Sequence, residues 1–363
     1  MKLQVTQENL NRALGAVARV ANSRGTLPIL ANVLIKTSNN RLSISATNLD
    51  IAITQYIGGK VSEEGAITVP ARLMQDFINS LPSGVINLEL EETKLKISTD
   101  QYQSTVNGIV ADDFPVMPAI SKGKSWSVAS SLLKKGLQQV VFAASSDESR
   151  PVLTGVLIHN LNNKLYLAAT DSYRLAEKEI GESREEVNLL VPATALHDLL
   201  RILGDGDDDV QVTHDDQQIL FRVGDVELVA RLLEGKYPDY RKLIPESFAV
   251  QVILKRADFL NVTKVSSLFA RESAGSVTLK VDEAKQSLSI RSIASQLGEN
   301  TANANGTVTG EGEITLNSRY LMDALQALAS DEVSFGFNGK LEATALRDTK
   351  ANDYTHIIMP LKS

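Results

Sequence analysis

The stretch VPARLMQDFINSLPSG (69–84) returns as VPATALHDLLRILGDG (191–206), and again, more altered, as LNSRYLMDALQALASD (316–331). Two further blocks repeat in step with it. ANVLIKTSNNRLSISATN (31–48) matches TGVLIHNLNNKLYLAATD (154–171) and GSVTLKVDEAKQSLSIRS (275–292); LQVTQENLNRALGAV (3–17) matches WSVASSLLKKGLQQV (126–140) and VQVILKRADFLNVTKV (250–265). The first block recurs at spacings of 122 and 125 residues, the second at 123 and 121. Blocks that keep one order and one spacing define three tandem units. A period of about 120 residues is too long for a solenoid repeat, so each unit reads as a domain.

Periodicities within the units predict their elements. Leu10, Leu14 and Val17 share one helical face, and Leu133, Leu137 and Val140 reproduce it. Thr6 is the expected N-cap of the first helix. Met74, Phe77, Ile78 and Leu81 mark a second helix, echoed by Leu196, Leu199, Leu200 and Leu203, with Pro70 and Pro192 expected at the first helical position. The alternating segments RLSIS, KLYLA, SLSIR and INLEL read as strands separated by the turn signals SNN, NN, SG, GDG and NG. The fold class is therefore α+β, three repeats of two helices on a mostly antiparallel sheet. Proline-bearing linkers at DDFPVMPAISKGKS (112–125) and KYPDYRKLIPES (236–247) divide the chain into domains at 1–120, 123–245 and 247–363.

Composition narrows the function classes. Hydrophobic residues make up 43% and charged residues 22%, ordinary values for a globular chain. No window approaches the roughly 18 apolar residues of a membrane span, and MKLQVTQENLNRAL has no apolar stretch behind its lysine. A cytoplasmic location is expected, with no membrane partner. The absence of cysteine excludes disulfides, zinc-thiolate sites and thiol nucleophiles. A net charge of −7 argues against a protein that grips nucleic acid over its whole surface, and leaves room for one small basic face.

No constellation for catalysis or metal binding emerges. The acidic run GDGDDD (204–209) lacks the glycine and glutamate spacing of a calcium loop. His159, His197, His214 and His356 show no metal spacing. No phosphate-binding glycine loop or nucleophile elbow is present, and no cofactor is expected. The densest polar cluster is TDSYRLA (170–176), where Asp171, Tyr173 and Arg174 stand together. Read as a strand, it puts Asp171 and Tyr173 on one face and Arg174 on the other, which weakens a catalytic reading. Basic residues recur at matching helix positions: Arg12 and Arg19, Lys134 and Lys135, and Lys264 on the first helices; Arg72 and Arg319, with Arg201, on the second. Units arranged in a circle with helices inward would pool this charge in one lumen. The C-terminal HIIMPLKS is unusually apolar, suited to a final strand and to a surface pocket.

The three repeats, together with TDSYRLA, KYPDYRKLIP, RGTLPIL (24–30) and the terminal MPLKS, resemble the bacterial β sliding clamp family, the beta subunits of DNA polymerase III. The resemblance covers the whole chain. It implies a head-to-tail homodimer closing as a six-unit ring, with sheets outside and helices lining a hole for duplex DNA. It implies no catalysis and no sequence-specific contact. The implied partners are double-stranded DNA, the polymerase III alpha subunit, an ATP-driven clamp loader, and other polymerases and repair proteins carrying clamp-binding peptides.

The resemblance also implies site residues. DNA-contact positions carry over to Arg24, Arg72 and the loop SSDESRPVL (145–153) with Arg150, where Asp147 and Pro151 depart from the family pattern. The partner-peptide pocket carries over to Leu153, Thr170, Ser172, Tyr173, Arg174, Leu175, Pro238, Lys242, Leu243, Ile357, Met359, Pro360 and Leu361. Tyr173 stands there for a usual His, and Lys242 for a usual Arg. The dimer seam is implied at Ser104 and Val106 against Leu268 and Phe269 of the second copy, with Glu299 in QLGENTANA as the remaining acid. Two other readings compete: a small-molecule enzyme using Asp171, Tyr173 and Arg174, and a repeat scaffold that binds proteins without DNA.

Overall fold

Each repeat begins with a strand that runs into an amphipathic helix, and a second helix follows four or five strands later. The first repeat contains β1 (Lys2–Thr6), α1 (Gln7–Val17), β2 (Asn32–Ser38), β3 (Arg41–Thr47), β4 (Ile51–Gly58) and β5 (Lys60–Glu63). It continues with β6 (Ala66–Pro70), α2 (Ala71–Ser80), β7 (Val85–Glu91), β8 (Lys94–Ser98) and β9 (Gln103–Asn107). The second repeat has β10 (Lys124–Ala129), α3 (Ser130–Val140), β11 (Gly155–Leu161), β12 (Lys164–Thr170) and β13 (Arg174–Glu182). Next come β14 (Asn188–Pro192), α4 (Ala193–Ile202), β15 (Asp209–His214), β16 (Gln218–Val223) and β17 (Val226–Arg231). The third repeat has β18 (Val250–Lys255), α5 (Arg256–Phe269), β19 (Ser276–Asp282), β20 (Ser287–Ala294) and β21 (Gly298–Thr309). It ends with β22 (Gly312–Asn317), α6 (Ser318–Ala327), β23 (Glu332–Phe337), β24 (Thr344–Asp348) and β25 (Tyr354–Ile358). This computed structural model describes residues 1–21, 27–115, 120, 122–183, 185–204, 206, 209–294 and 298–362.

The helices form where the apolar spacing predicts. Leu10, Leu14 and Val17 are fully buried, as are Leu133, Leu137 and Val140. Thr6 caps α1 by accepting from the Asn9 N–H at 3.3 Å, and Asn317 caps α6 by accepting from the Arg319 and Tyr320 N–H groups. Two local expectations are corrected. Pro70 and Pro192 are the last residues of β6 and β14, one position before the helices. Pro70 pairs with Asn32 there, and Pro192 with Gly155, at strand ends where a missing N–H is tolerated. Arg19 lies in the turn after α1, which ends at Val17.

The chain divides into two compact units that do not coincide with the three repeats. Unit 1 comprises Met1–Ser131 and Thr194–Leu232; unit 2 comprises Leu132–Ala193 and Leu233–Ser363. The second repeat is thus shared between them. Unit 1 holds a five-stranded sheet, β5-β1-β7-β8-β9, and an eight-stranded sheet, β10-β15-β16-β17-β4-β3-β2-β6. Unit 2 holds twelve strands in the order β14-β11-β12-β13-β25-β24-β23-β18-β21-β20-β19-β22.

Two joints link neighbouring repeats within these sheets. In unit 1, β17 pairs antiparallel with β4, from Val226↔Gln55 to Ala230↔Ile51. In unit 2, β13 pairs antiparallel with β25, from Arg174↔Ile358 to Lys178↔Tyr354. An ion pair pins each: Arg41 to Asp225 at 2.6 Å in the first, and Lys178 to Asp353 in the second. Among the described residues, several strands lie at sheet edges, and two open edges bear on the joints. β9 pairs with β8 alone. Residues 298–305 of β21 pair with β20 alone, because β18 takes up only the later part of that strand, from Gly306 to Thr309.

Candidate binding sites

The first candidate site lies in unit 2, at the end of the β13–β25 joint. TDSYRLA runs from the end of β12 through a hairpin turn at 171–173 into the start of β13, which corrects its reading as one unbroken strand. Asp171 Oδ1 accepts from the Tyr173 and Arg174 N–H groups, each at 2.9 Å. The Thr170 hydroxyl donates to the Arg174 carbonyl at 2.6 Å and accepts from the Ser172 N–H at 3.1 Å. Ser172 sits at φ +79°, a left-handed conformation taken here without glycine. In a turn the alternation of faces lapses, so Asp171 and Arg174 meet: Arg174 Nε donates to Asp171 Oδ2 at 3.1 Å. The first repeat builds the same turn at 47–51. Leu49 takes φ +81°, Thr47 donates to the Ile51 carbonyl, and Asn48 caps the Asp50 and Ile51 N–H groups.

Arg174 is the main strut of this region. Besides Asp171, its guanidinium donates to Asp323 Oδ2 at 2.6 Å and to the Phe142 carbonyl at 2.8 Å. It lies 5.3 Å from the Phe142 ring centroid and 4.6 Å from that of Tyr320. Its side chain is 12% exposed. Tyr320 and Asp323, both on α6, were not singled out in the sequence, because contacts some 150 residues away leave no local signal.

Beside this turn the joint offers an apolar floor and a mixed rim. Leu153, Leu175 and Ile357 are buried in one cluster with Ala168, Leu190, Tyr237, Tyr240 and Ala345. Thr170 is buried as well. Above them Tyr173 is 58% and Leu243 49% exposed, Pro238 is exposed, and Met359, Pro360 and Leu361 are half-buried. The tail is held by its backbone: Met359 N–H donates to the Tyr173 carbonyl at 2.8 Å, and Leu361 N–H to the Thr315 carbonyl at 2.9 Å. Lys242 extends into solvent beside Asp239, 2.6 Å away, and that carboxylate holds its ammonium pKa above the ordinary value. The structure thus brings the thirteen expected pocket residues into one unit, with Arg174 supporting the wall from behind.

A buried relay anchors the 3-10 turn Tyr240–Leu243 that carries Leu243. Tyr240 Oη donates to Glu177 Oε2 at 2.5 Å, and His159 Nε2 lies 2.6 Å from the same hydroxyl. Because the Tyr240 hydroxyl spends its proton on the bond to Glu177, its oxygen is left to accept from the His159 Nε2–H. Arg241 completes the set, 2.9 Å from Glu177 and stacked 4.4 Å from the Tyr166 centroid. Burial, reinforced by the Arg241 charge, lowers the His159 pKa and keeps the ring neutral.

The second candidate site is basic and lies in unit 1. Arg19, Arg72, Arg201 and Asp198 line a cavity of about 440 Å³, and Arg12, Arg19, Arg201 and Asp198 line one of about 570 Å³. These arginines come from α1, the turn that follows it, α2 and α4. Arg201 Nη1 lies 2.7 Å from Asp198 Oδ1. Burial raises the Asp198 pKa, opposed by Arg201 and more weakly by His197 and Arg19. Arg24 lies outside the described residues.

The remaining basic residues belong to unit 2. Lys135, Lys264 and Arg319 are exposed, on α3, α5 and α6 respectively, and Lys134 is half-buried on α3. Arg150 is tied to the pocket turn, donating to Ser172 Oγ at 3.1 Å, and pairs with Asp147 at 3.4 Å. Of the expected seam residues, Ser104 and Val106 lie on the open strand β9. Leu268, 51% exposed, and half-buried Phe269 end α5. Glu299, on the open part of β21, pairs with Arg291 of its own chain at 2.7 Å.

No helix among the described residues is long and apolar enough to cross a membrane. Three family models of the DNA polymerase III beta subunit match the chain: the N-terminal domain over residues 1–118, the central domain over 127–239 and the C-terminal domain over 241–362. The beta sliding clamp of Staphylococcus epidermidis is 30% identical over 376 residues, covering all of both chains. The DNA polymerase sliding clamp of Bacillus subtilis superposes with a TM-score of 0.95 at 28% identity, covering 100% of this chain and 99% of that one. A Pseudomonas aeruginosa sliding clamp, solved bound to griselimycin, gives a TM-score of 0.95 at 26% identity and full coverage of both.

Proposed function

This chain belongs to the DNA polymerase III beta subunit family, the beta sliding clamps, and we propose that its processivity role rests on a ring of two copies joined head to tail. It is a non-catalytic polymerase subunit acting in DNA replication. The observation that supports the ring is the rule of the joints. Leaving aside the short β5, each repeat has eight strands among the described residues, and the fourth strand of one repeat pairs with the eighth of the next: β4 with β17, β13 with β25. The same rule leaves the fourth strand of the third repeat, β21, and the eighth of the first, β9. Both have a free edge: β9 pairs with β8 alone, and residues 298–305 of β21 with β20 alone. A second copy satisfies both by the same pairing, closing three domains per chain, at 1–120, 123–245 and 247–363, into six.

Within that ring, duplex DNA is held by backbone phosphates without sequence readout. Arg24, Arg72, Arg12, Arg19 and Arg201 serve from the first half of the ring segment, with Lys134, Lys135, Lys264, Arg319 and Arg150 from the second. The pocket of Leu153, Leu175, Leu243, Ile357 and Met359 takes the apolar anchors of partner peptides. One Leu or Phe anchor is worth about 1.5–3 kcal/mol, suited to exchange among the polymerase III alpha subunit, the clamp loader and repair proteins. The setting for this work is the cytoplasm. Sedimentation tests the geometry: the account expects a species of twice 39.4 kDa, and a monomer at micromolar concentration would refute the joint rule.

A further inference from the structure

The arginine cluster of unit 1 contains its own counter-charge. Arg19, Arg201 and Asp198 line both adjoining cavities, Arg72 completes one and Arg12 the other. Among the described residues of those linings, Asp198 is the one carboxylate. It stands at the middle of α4, one turn before Arg201, and its side chain is 19% exposed against 55% for Arg201. The carboxylate is therefore held under the guanidinium that it binds. Gln75 and Gln55, the other polar side chains of the two linings, are uncharged, so nothing else there offsets the arginines. The corresponding aspartate of the first repeat, Asp76, is exposed and lines neither cavity; that of the third, Asp323, binds Arg174.

We infer that Asp198 is an attenuator of the phosphate grip: it holds back about one positive charge of the Arg12, Arg19, Arg72 and Arg201 cluster from the DNA. The inference rests on the proposed DNA interface. A protein that slides gains nothing from tight phosphate binding, because each neutralised phosphate adds about 0.9 to the slope of log affinity against log salt. Four unopposed arginines in one place would make a brake. A carboxylate fixed among them keeps the field that attracts DNA while limiting how much counterion is released on contact.

The test uses the full-length dimer on linear duplex DNA, with affinity measured by fluorescence anisotropy across a salt series. Asp198→Asn should steepen the salt slope by about 0.9, making binding about eightfold tighter at 0.1 M salt relative to 1 M. Asp198→Ser makes the same charge change and must shift the slope the same way. Adding Arg201→Gln to Asp198→Asn should bring the slope back to the parental value, which loosened packing alone would not do. An unchanged slope in both single variants overturns the attenuator, as does a double variant that stays steep. Failure of the DNA interface itself reads out differently, as a parental protein whose retention on circular DNA is indifferent to cutting the circle.

Discussion

Arg174 joins Asp171, Asp323, the Phe142 carbonyl and two aromatic rings, so one side chain ties the pocket turn to α6. Removing it leaves two carboxylates without their cation. Arg174→Ala should therefore lower stability by about 3 kcal/mol or more and abolish binding of a partner peptide with Leu or Phe anchors. Tyr173→Ala, at the exposed tip of the same turn, should leave stability within about 0.5 kcal/mol while weakening that peptide. Melting curves with peptide titration separate the two roles, and equal destabilisation would contradict them. His356 supplies a pH prediction. It is fully buried, stacked on Phe142 and beside Arg174, and burial pushes its pKa down to about 3. The unfolded chain returns it to about 6.5, so the folded state binds fewer protons between those values. Its contribution is complete above about pH 6.5 and is lost at about 1.4 kcal/mol per unit as pH falls toward 3. Between pH 7 and 5 the parent should lose about 2 kcal/mol more than His356→Gln; equal losses would refute the assignment. At this scale the sequence marked TDSYRLA as special but misjudged its shape. The left-handed residues of the two matching turns are Ser172 and Leu49, and neither is the glycine that announces such a turn.

Helices and strands were legible because their periods are local. The faces of α1, α2, α3 and α4, the Thr6 cap and the strands RLSIS, KLYLA, SLSIR and INLEL all follow from neighbouring residues. The pairings across repeats were not legible. β4 meets β17 some 175 residues away through backbone hydrogen bonds that carry no side-chain signature. The division of the second repeat between two units was equally hidden, since it follows from those pairings. The open edges of β9 and β21 bring a prediction at the scale of elements. Leu268 is exposed at the end of α5, so Leu268→Glu should leave the fold intact while placing a charge in the seam. The loss exceeds the roughly 1.5–3 kcal/mol of one buried Leu, and sedimentation should shift toward monomer. A variant that remains fully dimeric would remove Leu268 from the interface.

For the whole molecule, charge and topology divide the labour. A net charge of −7 keeps most of the surface away from DNA, while four arginines and one attenuating aspartate gather in unit 1. Such a protein has too little net cationic surface to hold DNA by affinity at physiological salt. Retention must come from encirclement, the same closure that pairs the free edges of β9 and β21. The direct measurement loads the labelled dimer onto nicked circular DNA with a clamp loader, isolates the complex, and then linearises the DNA. The account predicts stable retention on the circle and rapid loss once ends are available. Equal retention on circular and linear DNA, or none on either, would contradict it.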